Sequence, residues 1–252
     1  MKSRTTHIRA VTRKLKKIKN ILVILAFLLI SCVKKQKAND ELDLPKIEIY
    51  QPKERIVSNF GNPITDEWIL SEFFDNDTTL FQDKYLNDCS SFLHRPNYQI
   101  FTKVDPKSNK LIYAGPFSAT TQDLKENPFI KDEEIIGFDF KESKIRISST
   151  GVSKIMSLKP NMNHSRQFVI TIDKMPILTG YFFNTFSSSY VSHFYIEHLY
   201  KDENFKSNSP KISDYEIFYN PKSEFDWEPI QYNFKKNAKF YKAFKETNKL
   251  IE

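Results

Sequence analysis

Beyond residue 45 the chain alternates apolar and polar positions in short runs separated by turn-forming clusters, the spacing of half-buried strands. KIEIY, residues 46–50, reads as a strand that Pro52 ends. Thr65 followed by Asp66 and Glu67 places a cap and two acids ahead of an apolar run, so ITDEWILSEFF predicts a helix with Trp68, Ile69 and Phe73 inward. YQIFTKV (98–104) and KLIYAG (110–115) flank the turn cluster DPKSN and predict a hairpin. A short helix is expected through TTQDLKEN before Pro128. EEIIGFDF and KIRIS, joined by KES, predict a second hairpin that buries Ile136, Phe138, Phe140, Ile145 and Ile147 on one face. Thr150 is the expected cap of a helix over GVSKIMSL, closed by Lys159-Pro160.

The densest apolar region follows. QFVITID, ILTGYFFN and SYVSHFYIEHLY predict three strands, with Gly180 marking a bulge or a close backbone approach. KDENFKSNSPK reads as a loop, DYEIFYN as a further strand, and KKNAKFYKAFKETNKLI as a terminal helix with Phe240, Tyr241 and Phe244 in an apolar stripe. Hairpins with few interleaved helices predict an α+β fold built on an antiparallel sheet. There is no internal repeat and no low-complexity tract.

The N-terminal pattern is different in kind. From Ile21 to Ile30 every residue is apolar, and with Ser31, Cys32 and Val33 the stretch reaches 13 residues. A helix needs about 20 to cross the hydrocarbon of a bilayer, so this run is too short to span. Eight cations and no acid precede it within residues 1–20, which together with the short apolar run is the build of a cleavable secretory signal. Leu29-Ile30-Ser31-Cys32 then resembles a bacterial lipobox, with an apolar residue at minus three and a small one at minus one before a cysteine; Ile30 is bulkier than the usual residue at minus two. The resemblance implies that Cys32 is lipidated, with diacylglycerol on its thiol and palmitate among the acyl chains, and becomes the first mature residue. Two or three acyl chains hold a protein at a membrane without a spanning helix, at about 0.8 kcal/mol per buried methylene.

The expected organisation is thus a signal peptide over 1–31, the lipidated cysteine and a flexible tether over 32–45, and a body over 46–252 with a sub-boundary near 116–132. Residues 33–38, VKKQKA, carry no acid, which by resemblance to lipoprotein sorting rules implies the outer membrane facing the periplasm.

Composition changes meaning once that boundary is drawn. The formal charge of +7 invites a nucleic-acid partner, but removing the eight N-terminal cations leaves 30 Lys+Arg against 31 Asp+Glu. A neutral body lacks the electrostatic footprint of a DNA or RNA binder, so no nucleic acid is expected. With Cys32 acylated, Cys89 has no partner cysteine, and a disulfide framework is excluded.

Residues 134–183 carry a second resemblance. Their predicted order of hairpin, short helix, strand, turn and strand, with GVSKIMSL followed by FVITIDKMPILTG, is similar to the periplasmic head domain of the SecD protein-export subunit. Asp173-Lys174 stands where that family has Asp-Gly. The resemblance implies a non-enzymatic domain on the outer side of a membrane that touches polypeptide segments.

Candidate chemistry is sparse. His193 and His198 are five apart, which suits neither one helical face nor one strand face, so no metal is expected; His193 and Glu197 share a strand face and read as a solvent-side pair. Ser187, Ser188 and Ser189 could supply a nucleophile with His193, His198 or His164 as base, but no G-x-S-x-G elbow surrounds them. Five glycines, at 61, 115, 137, 151 and 180, form no phosphate loop, and no cofactor is implied. Cys89 reads as a small semi-buried thiol, and the aromatics Tyr181, Phe182, Phe183, Tyr190, Phe194 and Tyr195 as sheet-core residues rather than a ligand groove, with at most one of Tyr190 and Tyr195 in the core because their odd spacing puts them on opposite faces of one strand. The reading that follows is a lipid-anchored, non-enzymatic envelope protein whose body binds a protein partner or plays a structural part. The alternatives are a secreted hydrolase using Ser187–Ser189 with His193 or His198, and an immunity-type lipoprotein that neutralises a toxin.

Overall fold

The computed structural model describes residues 44–87, 98–159, 165–187, 191–198, 211–221 and 229–251. Cys32, Cys89, His164 and all but the last residue of the expected loop over 201–211 lie outside the described residues.

Seven predicted strands assemble into one eight-stranded sheet; the eighth, Leu250–Ile251, corrects the expected terminal helix, which ends at Glu246 ahead of left-handed Asn248 (φ 54°) instead of running on to Ile251. Its members are β1 (Ile47–Tyr50), β5 (Ile135–Asp139), β6 (Lys144–Ile147), β7 (Arg166–Ile172), β8 (Met175–Asn184), β9 (Phe194–His198), β10 (Ser213–Tyr219) and β11 (Leu250–Ile251), in the order β1-β7-β8-β9-β10-β6-β5-β11. Most neighbours are antiparallel, but β8 with β9 and β5 with β11 are parallel. The fold is thus α+β on a mostly antiparallel sheet, as expected, with two parallel seams that hairpins alone do not make: β9 enters after a crossover, and β11 returns from the last helix. The remaining strands, β2 (Asn62–Pro63), β3 (Lys103–Val104) and β4 (Leu111–Ile112), form a small separate sheet.

One core draws side chains from both edges of the large sheet. Ile47 and Ile49 of β1, Phe138 of β5, Phe168 and Ile170 of β7 and Phe182 of β8 join Val152 and Ile155 of helix α4 (Ser149–Met156) and Phe240 and Phe244 of helix α5 (Ala238–Glu246). Strands near opposite edges meet in one cluster only if the sheet curls around the helices. β7 is buried on both faces: Phe168 and Ile170 point to that core, while Val169 joins Tyr50, Tyr181, Phe183 and Phe117 in a second cluster beneath the segment 114–124.

Local chemistry sets the joints. β7 and β8 turn through Asp173 and Lys174, both left-handed at φ 51° and 63°, the two-residue geometry that matches strand twist. The Asp173 carboxylate also accepts from the Lys46 amide at 2.9 Å, which offsets the missing glycine. At Gly180 a Cβ would meet Phe168 Cζ at 2.5 Å and the Phe194 carbonyl at 2.8 Å; the position is a close approach, and the ladder's irregularity falls instead between Ile170 and Thr171.

Several expectations are corrected in detail. The pairing of β5 with β6 shifts between Ile135 and Gly137, so Ile135 is buried and Ile136 is 39% exposed. Ser148, not Thr150, caps α4, its hydroxyl accepting from the Gly151 amide. In helix α1 (Asp66–Phe74), Thr65 caps as predicted, but Phe73 is 42% exposed and Phe74 turns inward, because helix α2 (Thr78–Phe81) returns on that side and sets Phe81 edge-on to Phe74. Tyr98–Phe101 forms a helical turn, α3, and only the tips of the expected hairpin pair as β3 and β4. The helix expected over 120–127 is a single 3-10 turn at Thr121–Asp123 with a Thr120–Asp123 capping box.

Candidate functional site

The residues singled out from sequence fall at two ends of the β8–β9 pair. Asn184 lies opposite His198 in register, and Ser187 follows in a turn, its amide donating to the Asn184 carbonyl at 2.8 Å. The structure therefore brings Ser187 and His198 to the same end of the sheet. Ser187 is only 8% exposed, which is poor access for a nucleophile; Ser188 and Ser189 lie outside the described residues.

His193 stands at the other end of β9. The two histidines are five residues apart in an extended chain, roughly 16 Å at strand spacing, and share no centre. Instead of a solvent-side pair with Glu197, His193 is half-buried, with Nε2 2.9 Å from Thr179 Oγ1 and its ring against Phe117, Tyr181 and Phe194. Burial pushes its pKa down to about 4, so the ring is neutral at pH 7. Among the described residues no group of three or more His, Cys, Asp or Glu side chains could hold a metal ion. Tyr181, Phe182, Phe183 and Phe194 are core, Tyr195 is half-buried, and Tyr190 lies outside the described residues.

The most developed polar constellation was not among the candidates read from sequence. Where β1 ends and β7 begins, a notch of about 180 Å³ is lined by Gln51, Lys53, Arg55, Lys125, Arg166 and Gln167, among others. Its floor is built from Gln167, whose buried side-chain amide accepts from the Ile56 amide and donates to the Ile56 carbonyl, both at 2.8 Å. That pairing clamps the segment after β1 against β7 as a backbone bridge would. The same amide lies 3.4 Å from the Tyr181 hydroxyl, which donates to the Gly115 carbonyl at 2.7 Å.

Arg55 is held on this frame. Its Nη1 donates to the carbonyl of Ser165 at 2.9 Å, and the guanidinium lies 5.3 Å from the Phe101 ring centre and 5.6 Å from that of Tyr181. Ser165 itself is buried and left-handed at φ 57°, a backbone state that costs on the order of 1 kcal/mol or more for a residue with a Cβ. Burial holds the Arg55 guanidinium below its ordinary value, and the neighbouring Arg166 charge acts in the same direction. Burial likewise raises the Tyr181 phenol.

The one sequence signal for this site is arginine usage. Beyond residue 45 the chain has only four arginines, at 55, 95, 146 and 166, amid many lysines. Of these, Arg55 stacks between rings and Arg146 forks onto Asp214 with bonds of 2.7 and 2.9 Å, two tasks that a lysine ammonium performs poorly.

Comparison of the chain with protein-family models, curated proteins and solved structures gives no match. The described residues also include no helix long and apolar enough to cross a membrane.

Proposed function

We propose that the protein is an envelope lipoprotein, acylated on Cys32 and displaying a binding body on the periplasmic face of the outer membrane. The observation that carries the reading is Leu29-Ile30-Ser31-Cys32 at the end of the apolar run Ile21–Ile30, behind eight unopposed cations. Supporting it, the body from Pro45 onward is a compact unit whose core cluster is assembled from Ile47 to Phe244. A body with a core of its own is suited to display at the end of a tether. Its part is to bind a partner rather than to transform a substrate, and the polar frame around Gln167 and Arg55 is its best-built surface feature. The SecD-head resemblance belongs to the same proposal as a statement about topology, supported by the order β5, β6, α4, β7, β8.

Labelled palmitate fed to cells producing the full chain tests the anchor. The wild-type chain takes up label and shifts to the mass of a chain cut before Cys32, and Cys32→Ser takes up none. Label retained by Cys32→Ser, or a wild-type chain that is not labelled, overturns the reading.

A further inference from the structure

The notch between the end of β1 and the start of β7 gathers four cationic side chains, Lys53, Arg55, Lys125 and Arg166, around one carboxylate, Glu54. We propose that this notch is a binding site for a phosphate oxyanion, carried either by a small phosphorylated solute or by a phospholipid headgroup. The inference does not depend on acylation of Cys32.

Three of the cations are positioned without being neutralised. Lys53 Nζ donates to the Gln122 carbonyl at 2.8 Å, Lys125 Nζ to Gln51 Oε1 at 3.0 Å, and Arg166 Nε to the Lys159 carbonyl at 3.2 Å. These acceptors are neutral. They hold each head group in place and leave its full charge, and none of the three makes an ion pair with another described residue. Each ammonium keeps two further donors and Arg166 keeps the outer fork of its guanidinium. The acid within the notch is Glu54, one carboxylate against four cations; Asp123, whose charge is felt by Lys53, already accepts from the amide and hydroxyl of Thr120, both at 2.7 Å.

Like charges gathered in a partly desolvated notch repel, and an incoming anion relieves that repulsion while collecting charge-assisted hydrogen bonds. The body is close to neutral overall, so the attraction is local to the notch rather than a property of the whole surface. Donors contributed by separate stretches of chain, Lys53, Lys125 and Arg166, suit a tetrahedral oxyanion better than a planar carboxylate, which a single guanidinium fork would satisfy. The cavity of about 180 Å³ is several times the roughly 30 Å³ share of one liquid water, room for a phosphate group with its nearest waters.

Calorimetric titration of the purified full chain in detergent with inorganic phosphate, and separately with short-chain dihexanoyl phosphatidylglycerol, tests the site. Each titration is repeated on Lys125→Gln/Arg166→Gln and on Lys235→Gln/Lys236→Gln, which removes the same charge outside the notch. The expected result is saturable binding that weakens at least tenfold in the first variant and less than twofold in the second. Phosphate binding with that pattern points to a soluble phosphorylated ligand; binding of the phosphatidylglycerol alone points to a lipid headgroup. Absence of binding to both probes, or equal loss in the two variants, overturns the proposal.

Discussion

The large curled sheet and the small three-stranded sheet are built from the same kinds of residue and yet hold together by different means. In the large sheet, Phe138 alone meets the rings of Phe140, Phe234, Phe240 and Phe244 at 4.6–5.4 Å, and its cluster gathers 22 buried side chains among the described residues. In the small sheet the strands are two residues long, and the cluster beside it has five: Ile64, Ile69, Phe81, Tyr85 and Val104. There the work passes to polar devices. Asp105 accepts from the Lys107 amide and the Ser108 hydroxyl, and Asn109, left-handed at φ 57°, accepts from the Trp68 indole. Burial scales with the number of elements that can share one apolar face, so a short hairpin cannot match a sheet that encloses two helices.

The two regions should differ most when a buried side chain is cut back in each. Phe138→Ala should cost about 4 kcal/mol in urea unfolding, because the rings around it are locked on all sides and cannot collapse into the cavity. Ile69→Ala, equally buried, should cost about 2 kcal/mol, since half-exposed Trp68, Leu70 and Phe74 can close over the gap. Trp68 fluorescence and amide exchange would then show residues 62–112 opening before the large sheet in the Ile69 variant. Equal costs, or simultaneous opening, would mean that the two regions form one cooperative unit.

The next effect concerns acid. His193 titrates near pH 6.5 when unfolded and near 4 in the folded chain, so between these values the unfolded state binds more protons. Stability is therefore full above pH 6.5 and falls as pH drops toward 4, by on the order of 2 kcal/mol after allowance for solvent at the half-buried ring. His193→Gln should flatten that limb of the melting profile; an unchanged slope would refute the assignment. No described histidine lies in the small sheet, so its local opening should not follow this limb.

The smallest effect separates two neighbouring hydroxyls. Ser148→Ala should destabilise by about 1 kcal/mol as a lost helix cap, and Thr150→Ala by less than about 0.5 kcal/mol. A reversed order in thermal melts would restore Thr150 as the cap.

These positions also show where reading the chain alone stops. Strand identity was legible because period-two alternation follows from the pleat, and α5 because Phe240 and Phe244 recur at helical spacing. Ile136 faces outward against the alternation because a one-residue bulge inverts which side chain faces the core, and nothing within EEIIGFDF marks the slip. Ser148 and Thr150 are equivalent by chemistry, and the boundary of the preceding strand chose between them. The notch leaves no local pattern in the sequence because Lys53, Arg55, Lys125 and Arg166 are scattered over more than a hundred positions and meet only when β1 lies against β7.

What the sequence determined by itself is local: most strands and the longer helices of the body, the near-neutral charge beyond residue 20, and the apolar run Ile21–Ile30 ahead of Cys32, all of which depend on neighbours a few residues apart. Tertiary structure alone decided the parallel seam between β8 and β9, the curl that lets Ile47 and Phe138 share a core, the burial of Ser187, the half-burial of His193, and the gathering of four cations around one notch. Hydrophobic periodicity tells each element which face to hide, but not which distant element will cover it, because burial is non-directional and many pairings satisfy the same pattern.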